Sequence, residues 1–407
     1  MGIAALATAA TNDFASMVNP MIGTGGHGHT YPGAVRPHGM IQPSPDTRIN
    51  DWDACSGYYY ADTLINGFSQ THLSGTGCCD YGDILIMPTV GERVLKGQSE
   101  KLQNLPYASA FSHAEEAAEP GYYSVMLKRY GVKAEVTAAD RTALYRFTYP
   151  EEMTGEAGMI IDIDYSLQNQ WNYDMAVSAV GDRRIEGYKC SGYWAGRQVI
   201  YFSAEFSEPF EMVTVTDSIH SEKWEETVPT LKASLSFPGI KDGGELLVKV
   251  GISAVDYEGA RLNARSEIPG FDFDSVRADA RREWNDWLGK IEVPATENAD
   301  DLAKFYTALY HTASAPNLFT DADGRYRGMD KTWHQGDASD PVYTVFSTWD
   351  TFRALHPLLT IIDPALNDSF MRSLLLKARE GGILPMWELA GNYTSTMIGY
   401  HLSLIHI

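Results

Sequence analysis

The amino-acid sequence predicts an antiparallel β-sandwich followed by a separate helical domain. The chain has 407 residues, which exceeds one domain of ordinary size. Apolar residues alternate with a period of two between about residues 120 and 255, and they recur at helical spacing after about residue 257. A run of strands followed by a run of helices is typical of two separate domains.

The strand pattern is clearest in three segments of the first half. Turn residues such as Tyr149-Pro150 and Gly243-Gly244 bound the strands, as expected for an antiparallel sandwich. The alternating apolar residues are Val132, Ala134, Val136 and Ala138; Tyr145, Phe147 and Tyr149; and Leu231, Ala233, Leu235 and Phe237.

Two helices are predicted directly after the strands. Asp274 or Ser275 is the expected N-cap of the first, and residues 291–294 (IEVP) end it. The apolar stripes of the two helices are Val276, Ala280, Trp284 and Leu288, and Leu302, Phe305, Tyr306 and Leu309.

Two further helices are predicted beyond residue 346. The third begins near Ser347 and continues to about Ile361. The fourth has Asp363 as N-cap, Pro364 at its first position and glycines at its end, which are favoured residues at those places.

Composition excludes several classes of function. The net charge of -21 repels phosphate backbones, so we expect no nucleic-acid partner. No apolar run approaches the roughly 18 residues of a spanning helix, so no membrane span is predicted. The four cysteines match no zinc-site spacing and are expected to be buried free thiols.

Two glycine-rich segments of the first half have no periodicity and are typical of functional loops. Residues 19–33 (NPMIGTGGHGHTYPG) carry His27 and His29 on a flexible frame, and residues 51–60 (DWDACSGYYY) carry Trp52. A ligand-lining loop is the preferred interpretation of the two histidines. Zinc ligation is the alternative, but no third ligand follows at a typical spacing.

Two segments of the helical half place an aromatic residue beside a carboxylate. Trp349 and Asp350 begin the third helix, with Arg353 within reach, and Trp387 precedes Glu388. An aromatic face beside a carboxylate suits a sugar ring, whereas the plain alternative is that Asp350 caps the helix and Arg353 screens it. Asp350 and Glu388 also qualify as an acid and base pair, although any acidic protein offers such pairs.

Four long segments together resemble glycoside hydrolase family 92. They are VNPMIGTGGHGHTYPGAVRPHGMIQPSPDTR, CSGYYYADTLINGFSQTHLSGTGCCDYGDILIMP, FSTWDTFRALHPL and LPMWELAGNYTSTMIGYH, and they extend from about Val18 to His401. The resemblance implies a β-sandwich, a helical linker and an (α/α)6 barrel. It also implies an exo-acting, inverting α-mannosidase that uses Ca²⁺ and acts on mannans or N-glycans outside the cytoplasm.

The resemblance further implies where mannose is held. Trp349 and Asp350 belong to the pocket for the terminal mannose, and Arg353 supports them. The loop with His27 and His29, together with Trp52, completes the pocket wall, and Glu388 is a further substrate-binding candidate. No ligand for the metal is assigned.

The resemblance places the catalytic residues outside this sequence. The family's general acid, its base and a calcium-binding glutamine come later in the barrel, beyond residue 401, so no catalytic residue is expected in this chain, and the chain itself is expected to be inactive. A carbohydrate-binding protein that grips mannosides without cleaving them is the alternative function.

Five segments are therefore expected. Residues 1–12 resemble the end of a signal peptide or are a frayed terminus, and with the family resemblance they indicate a secreted, periplasmic or cell-surface protein. Residues 402–407 (LSLIHI) back-translate to a transposon adapter and are expected to be non-native. The domains between them are a sandwich at 13–256, a helical linker at 257–297 and the start of a barrel at 298–401.

Overall fold

A computed structural model describes most of the chain. The signal-like segment 1–12 and the tail 402–407 lie outside the described residues. The described ranges are 13–96, 103–169, 171–221, 226–294 and 298–397.

Strands dominate the described residues up to Ser253. One 3₁₀ turn, Phe14–Met17, precedes the described strands, and three lie between them, at Trp52–Ala54, His113–Glu115 and Leu167–Asn169. The strands are β1 Ser44–Asp46, β2 Leu64–Ile65, β3 Gly67–Ser69, β4 Leu85–Val90, β5 Ser109–Ala110, β6 Glu116–Glu119, β7 Tyr122–Leu127, β8 Val132–Ala138, β9 Thr142–Thr148, β10 Ala157–Asp162, β11 Trp171–Ala179, β12 Arg184–Gly192, β13 Gln198–Phe206, β14 Glu211–Ser221, β15 Glu226–Ser236 and β16 Glu245–Ser253.

Most of these strands form two antiparallel sheets. The first has six strands in the order β1-β3-β4-β10-β15-β14, and the second has eight in the order β11-β12-β13-β16-β9-β8-β7-β6. Non-sequential neighbours such as β10 and β15 show that the chain crosses between the sheets, as in a sandwich.

The two sheets share one apolar core. The ring of Phe68 on β3 meets Tyr145 on β9 at a centroid distance of 6.1 Å and Tyr123 on β7 at 6.3 Å. The Tyr145 hydroxyl donates to Gln70 Oε1 across the layer at 3.0 Å, so its buried polar end is satisfied. The β-sheet domain predicted from the period of two is present.

Helices follow the last sandwich strand. Among the described residues they are α1 Tyr257–Glu267, α2 Phe273–Leu288, α3 Ala299–His311, α4 Thr348–Thr351, α5 Leu355–Ile362 and α6 Pro364–Gly381. Short strands accompany them, namely β17 Asn317–Leu318, β18 Arg325–Arg327, β19 Trp333–Gln335, β20 Tyr343–Thr344, β21 Phe346–Ser347, β22 Trp387–Leu389 and β23 Asn392–Tyr393. Closure of an (α/α)6 barrel stays a prediction.

Helix α2 begins two or three residues earlier than predicted. Asp272 is the N-cap, and its carboxylate accepts from the Ser275 amide at 3.0 Å. Asp274 lies two residues further on, in the first turn of the helix, where its charge interacts favourably with the N-terminal end of the helix dipole. Ala280, Trp284 and Leu288 are buried as the stripe predicted.

The predicted third helix is two helices. α4 ends at Thr351 and α5 begins at Leu355, with Ala354 at φ -135° between them. Pro357 explains the break, because it has no amide to donate to the carbonyl of Arg353 and its ring would clash there. The fourth helix is α6, and it is bounded as predicted: Asp363 accepts from the Leu366 amide, and Gly382 adopts φ 77°.

The four cysteines are free and buried. Burial raises the pKa of the Cys55 thiol to about 12, so it stays protonated at neutral pH. Among the described residues, no helix is long and apolar enough to cross a bilayer.

Candidate functional site

The loop that carries His27 and His29 is tightly folded back on itself. Gly23 and Gly26 adopt positive φ of 92° and 59°, and the Thr30 amide donates to the Gly23 carbonyl at 3.3 Å. His29 also has a positive φ of 53°, which is uncommon for a residue with a side chain. Its carbonyl accepts from the Ser56 hydroxyl and from the Gly75 amide, so the neighbouring segments hold it in place.

Ion pairs of Arg48 fix the segment that carries Trp52. Arg48 binds Asp62 with two nitrogens and Asp51 through a third contact, at 2.5 Å. Asp51 accepts from the Asp53 amide at 3.0 Å and so caps the 3₁₀ turn that presents Trp52 and Asp53. Hydrogen bonding to Asp62 raises the pKa of Arg48, which keeps this clamp charged.

The structure brings these two loops together. His27 Nδ1 lies 2.5 Å from Asp53 Oδ1. The Trp52 ring lies edge-on to His29 at a centroid distance of 4.3 Å and 5.4 Å from His27. Trp52 is 52% exposed, and its Nε1 donates to the Gly77 carbonyl at 3.1 Å. An exposed indole held at one edge is suited to stacking on a sugar ring.

His72, in the loop after β3, has a structural environment. His72 is buried, with Nε2 2.8 Å from Asp46 Oδ1 and Nδ1 2.6 Å from the Gln42 carbonyl oxygen. Both ring nitrogens are thus engaged inside the sandwich, and His72 joins β1 to the loop after β3.

Trp349 and Asp350 lie in the short helix α4, as predicted. Asp350 is exposed, and its Oδ2 accepts from the Ser347 hydroxyl at 2.5 Å. Ser347, and not Asp350, is the N-cap residue of α4, and its side chain makes no capping bond to the helix backbone. The Ser347 hydroxyl instead holds the Asp350 carboxylate. Arg353 is exposed and lies over the Phe352 ring at 5.2 Å, without an ion pair to Asp350 in the described structure.

Packing links the Trp52 region to the Trp349 region. Gly77, which supports Trp52, is followed by Cys78, and Cys78 belongs to one buried apolar cluster with Trp387 and Leu389. Trp387 on β22 pairs with Ser347 on β21, two residues before Trp349. The sandwich loops and the start of α4 are therefore parts of one packed unit.

Glu388 does not reach the surface. It is 0% exposed, and its carboxylate accepts from Thr344 Oγ1 at 3.0 Å, Lys377 Nζ at 2.8 Å and the Gly391 amide at 2.8 Å. These protein donors leave it no route to a sugar or to an attacking water. The interpretation of Glu388 as a substrate ligand or as the acid and base partner of Asp350 therefore has no support in this geometry.

One cluster of the described residues offers three metal-ligand side chains. One ring nitrogen of His27, one of His29 and an oxygen of Asp53 lie within 4.8 Å of one another. Sequence reasoning missed Asp53, because it comes from a different loop, although its place next to Trp52 was a usable signal. Two nitrogens and one carboxylate do not fit Ca²⁺, which takes six to eight oxygen ligands. These residues therefore do not provide the expected calcium site.

Comparison with known families identifies the chain. Residues 17–253 match the glycosyl hydrolase family 92 N-terminal domain, and residues 259–406 match the family's catalytic domain. The chain belongs to glycosyl hydrolase family 92. It is thus a glycoside hydrolase sequence, as the four resembling segments predicted.

Solved structures and a curated relative agree with family 92. The α-mannosidase BT3965 from Bacteroides thetaiotaomicron is 38% identical, with a TM-score of 0.88 over 96% of this chain and 53% of its own. The inverting mannosidase BT2199 from the same organism is 29% identical, with a TM-score of 0.81 over 96% of this chain and 52% of its own. An uncharacterized secreted glycosidase of Arthroderma benhamiae is 27% identical over 76% of this chain and 42% of its own length. The chain spans about half the length of these relatives.

The fold of the loop that carries His27 and His29 depends on Gly28. A methyl group there would lie 2.1 Å from the Gly23 carbonyl oxygen, so Gly28→Ala must displace the loop. We expect a loss of about 1–3 kcal/mol of stability and a change in tryptophan fluorescence, to which the exposed Trp52 contributes. Gly25→Ala is the matched control, since its methyl group would meet only Tyr60 Cβ at 3.8 Å. Equal melting temperatures and emission spectra for the two variants would contradict this account.

Proposed function

We propose that the protein is an exo-acting, inverting α-mannosidase that removes terminal α-mannose from N-glycans or mannans. The observation that carries the proposal is the likeness to BT3965, an α-mannosidase 38% identical over 96% of this chain, which has also been solved with mannoimidazole. BT2199, an inverting mannosidase, supports the stereochemistry. Because the chain spans about half of each, the proposal concerns a protein of their length.

The described residues supply the binding half of this proposal. Trp52 offers an exposed aromatic face beside His27 and His29, and Trp349 and Asp350 offer an aromatic and a carboxylate at the start of α4. A carboxylate binds sugar hydroxyls through charge-assisted hydrogen bonds, while the indole covers the apolar face of the ring. Arg353 lies one turn away and adds a positive charge.

These residues bind and orient mannose, and they do not transfer protons. Inversion requires a general acid and a general base about 6.5–9.5 Å apart, so that a water fits between base and sugar. Glu388 is enclosed by protein donors and does not serve. We assign both roles to the later part of a catalytic domain of the relatives' length, beyond residue 401.

Calcium is the cofactor that we propose for the whole enzyme. When bound, it would hold neighbouring sugar hydroxyls. His27, His29 and Asp53 are not its ligands, because calcium prefers an all-oxygen shell. The partners are mannose-containing glycans, and a location outside the cytoplasm is supported by the secreted glycosidase among the relatives.

Mannose release by the full-length gene product tests the proposal. We expect hydrolysis of α-mannobiose that a calcium chelator abolishes and added Ca²⁺ restores, with β-mannose as the first product in proton NMR. A folded, calcium-loaded protein that binds mannobiose without cleaving it would favour a carbohydrate-binding protein. Release of α-mannose first would contradict inversion.

A further inference from the structure

We propose that His27, His29 and Asp53 form a site for a divalent transition metal ion such as Zn²⁺. The three side chains come from two loops, and their ligand atoms lie within 4.8 Å of one another. The site is distinct from a calcium site in its ligand chemistry, and the proposal does not depend on mannosidase activity.

The ligand set matches the metal. Imidazole nitrogen suits zinc and its neighbours, and two histidines with one carboxylate are three protein ligands that leave further positions open. Ligand atoms of a tetrahedral zinc site lie about 3.3 Å apart, given bonds of about 2.0 Å. The present 2.5 Å between His27 Nδ1 and Asp53 Oδ1 is a direct hydrogen bond, which a metal ion would replace.

His29 provides an independent observation. The residue is 6% exposed, and its Nε2 is buried without a hydrogen-bond partner. A buried polar atom without a partner is costly, and a metal ion is one way to satisfy it. Bonds from Ser56 and Gly75 to the His29 carbonyl hold its backbone at φ 53°. The ring itself packs edge-on against Trp52 at a centroid distance of 4.3 Å.

The other two proposed ligands are Asp53, on a fixed turn, and His27, whose side chain can rotate. Asp53 lies in the turn capped by Asp51, and Arg48 anchors Asp51 in turn. These contacts fix the backbone of the turn that carries the Asp53 carboxylate. The His27 side chain is 74% exposed and can rotate to close the shell. A bound ion would join the glycine-rich loop to the Trp52 turn and fix the position of the indole.

Zinc titration of the chelator-treated protein tests the site. Calcium is kept in excess, so that any calcium site stays filled. We expect one Zn²⁺ per chain by calorimetry, a rise in melting temperature and a change in tryptophan fluorescence. Co²⁺ in place of Zn²⁺ should give visible absorption bands of a low-coordinate site.

Three variants make the test specific. His27→Ala and Asp53→Asn should each weaken zinc binding at least about tenfold. Neither should unfold the protein, because the His27 side chain is 74% exposed and the Asp53 side chain, 31% exposed, keeps its shape in asparagine. His334→Ala is the matched control, since His334 forms an exposed pair with Asp330 elsewhere, and it should bind as the parent does. No saturable binding by the folded parent, or equal binding by all three variants, would overturn the proposal. Mannosidase activity is not measured, so failure here leaves the proposed function untouched.

Discussion

We expect the replacement of Asp350 with asparagine to lower kcat/KM of the proposed full-length mannosidase on α-mannobiose by roughly 10- to 150-fold. The range corresponds to the loss of about 1.5–3 kcal/mol, typical of hydrogen bonds to a charged group. Asp350 is exposed at the first turn of α4, and the Ser347 hydroxyl orients one of its oxygens at 2.5 Å. The amide keeps the shape but accepts with one oxygen and no charge, so its bonds to sugar hydroxyls weaken.

A second exposed aspartate provides the control that separates loss of sugar binding from a general loss of structure. Asp337 is exposed in the same half of the chain, and its Oδ1 accepts from the Ser339 hydroxyl at 2.7 Å, much as Asp350 accepts from Ser347. Asp337→Asn should leave kcat/KM unchanged. If Asp350→Asn behaves like Asp337→Asn, with both proteins folded, Asp350 does not hold the sugar.

Local signals in the sequence predicted much of the fold. The ends of α6 followed from Asp363, Pro364 and the terminal glycines, because capping depends on a few adjacent residues. The break between α4 and α5 was also predictable from Pro357, which cannot continue a helix through its preceding turn, but the sequence analysis gave one helix there.

The sequence did not predict which residues from distant segments come together in space. Asp53 meets His27 because Arg48 and Asp51 shape a loop far along the chain from the histidines. Glu388 looked like a sugar ligand beside Trp387, but Lys377, eleven residues before it, turns out to neutralise it inside the core. Whether a carboxylate binds substrate or stabilises the fold depends on the residues around it in space. The residues next to it in sequence do not identify those spatial neighbours.

Loss of the buried cation Lys232 is expected to cause the largest loss of stability. Lys232 on β15 is 2% exposed, and its Nζ lies 2.5 Å from Asp162 Oδ2 and 3.1 Å from Asp164 Oδ1. Tyr107 donates to the same Asp162 oxygen at 2.5 Å. Lys232→Met would leave two carboxylates inside the sandwich without their cation, at a cost of about 3–5 kcal/mol in the free energy of unfolding.

The effect of Lys232→Met should depend on pH. Burial, and then the charge of nearby Asp162, raise the pKa of Asp164 above its usual range even with the lysine present. Lys232 lowers the pKa of Asp164, so removing the lysine raises the pKa of this carboxyl group further. The folded variant then binds a proton at Asp164 over a wider pH range than the unfolded chain does. Its stability relative to the parent must then fall as pH rises, and the loss should be smaller at about pH 5 than at about pH 8.

Urea unfolding of parent and variants at both pH values measures this effect. Lys128→Met is the matched control, because Lys128 pairs with Glu115 at the surface, with side chains 45% and 49% exposed, and should cost less than about 1 kcal/mol. Equal losses for the two variants would mean that Lys232 contributes no more than a surface charge. A loss that grows toward low pH would mean that the buried carboxylates are not the groups left uncompensated, since their protonation relieves the cost.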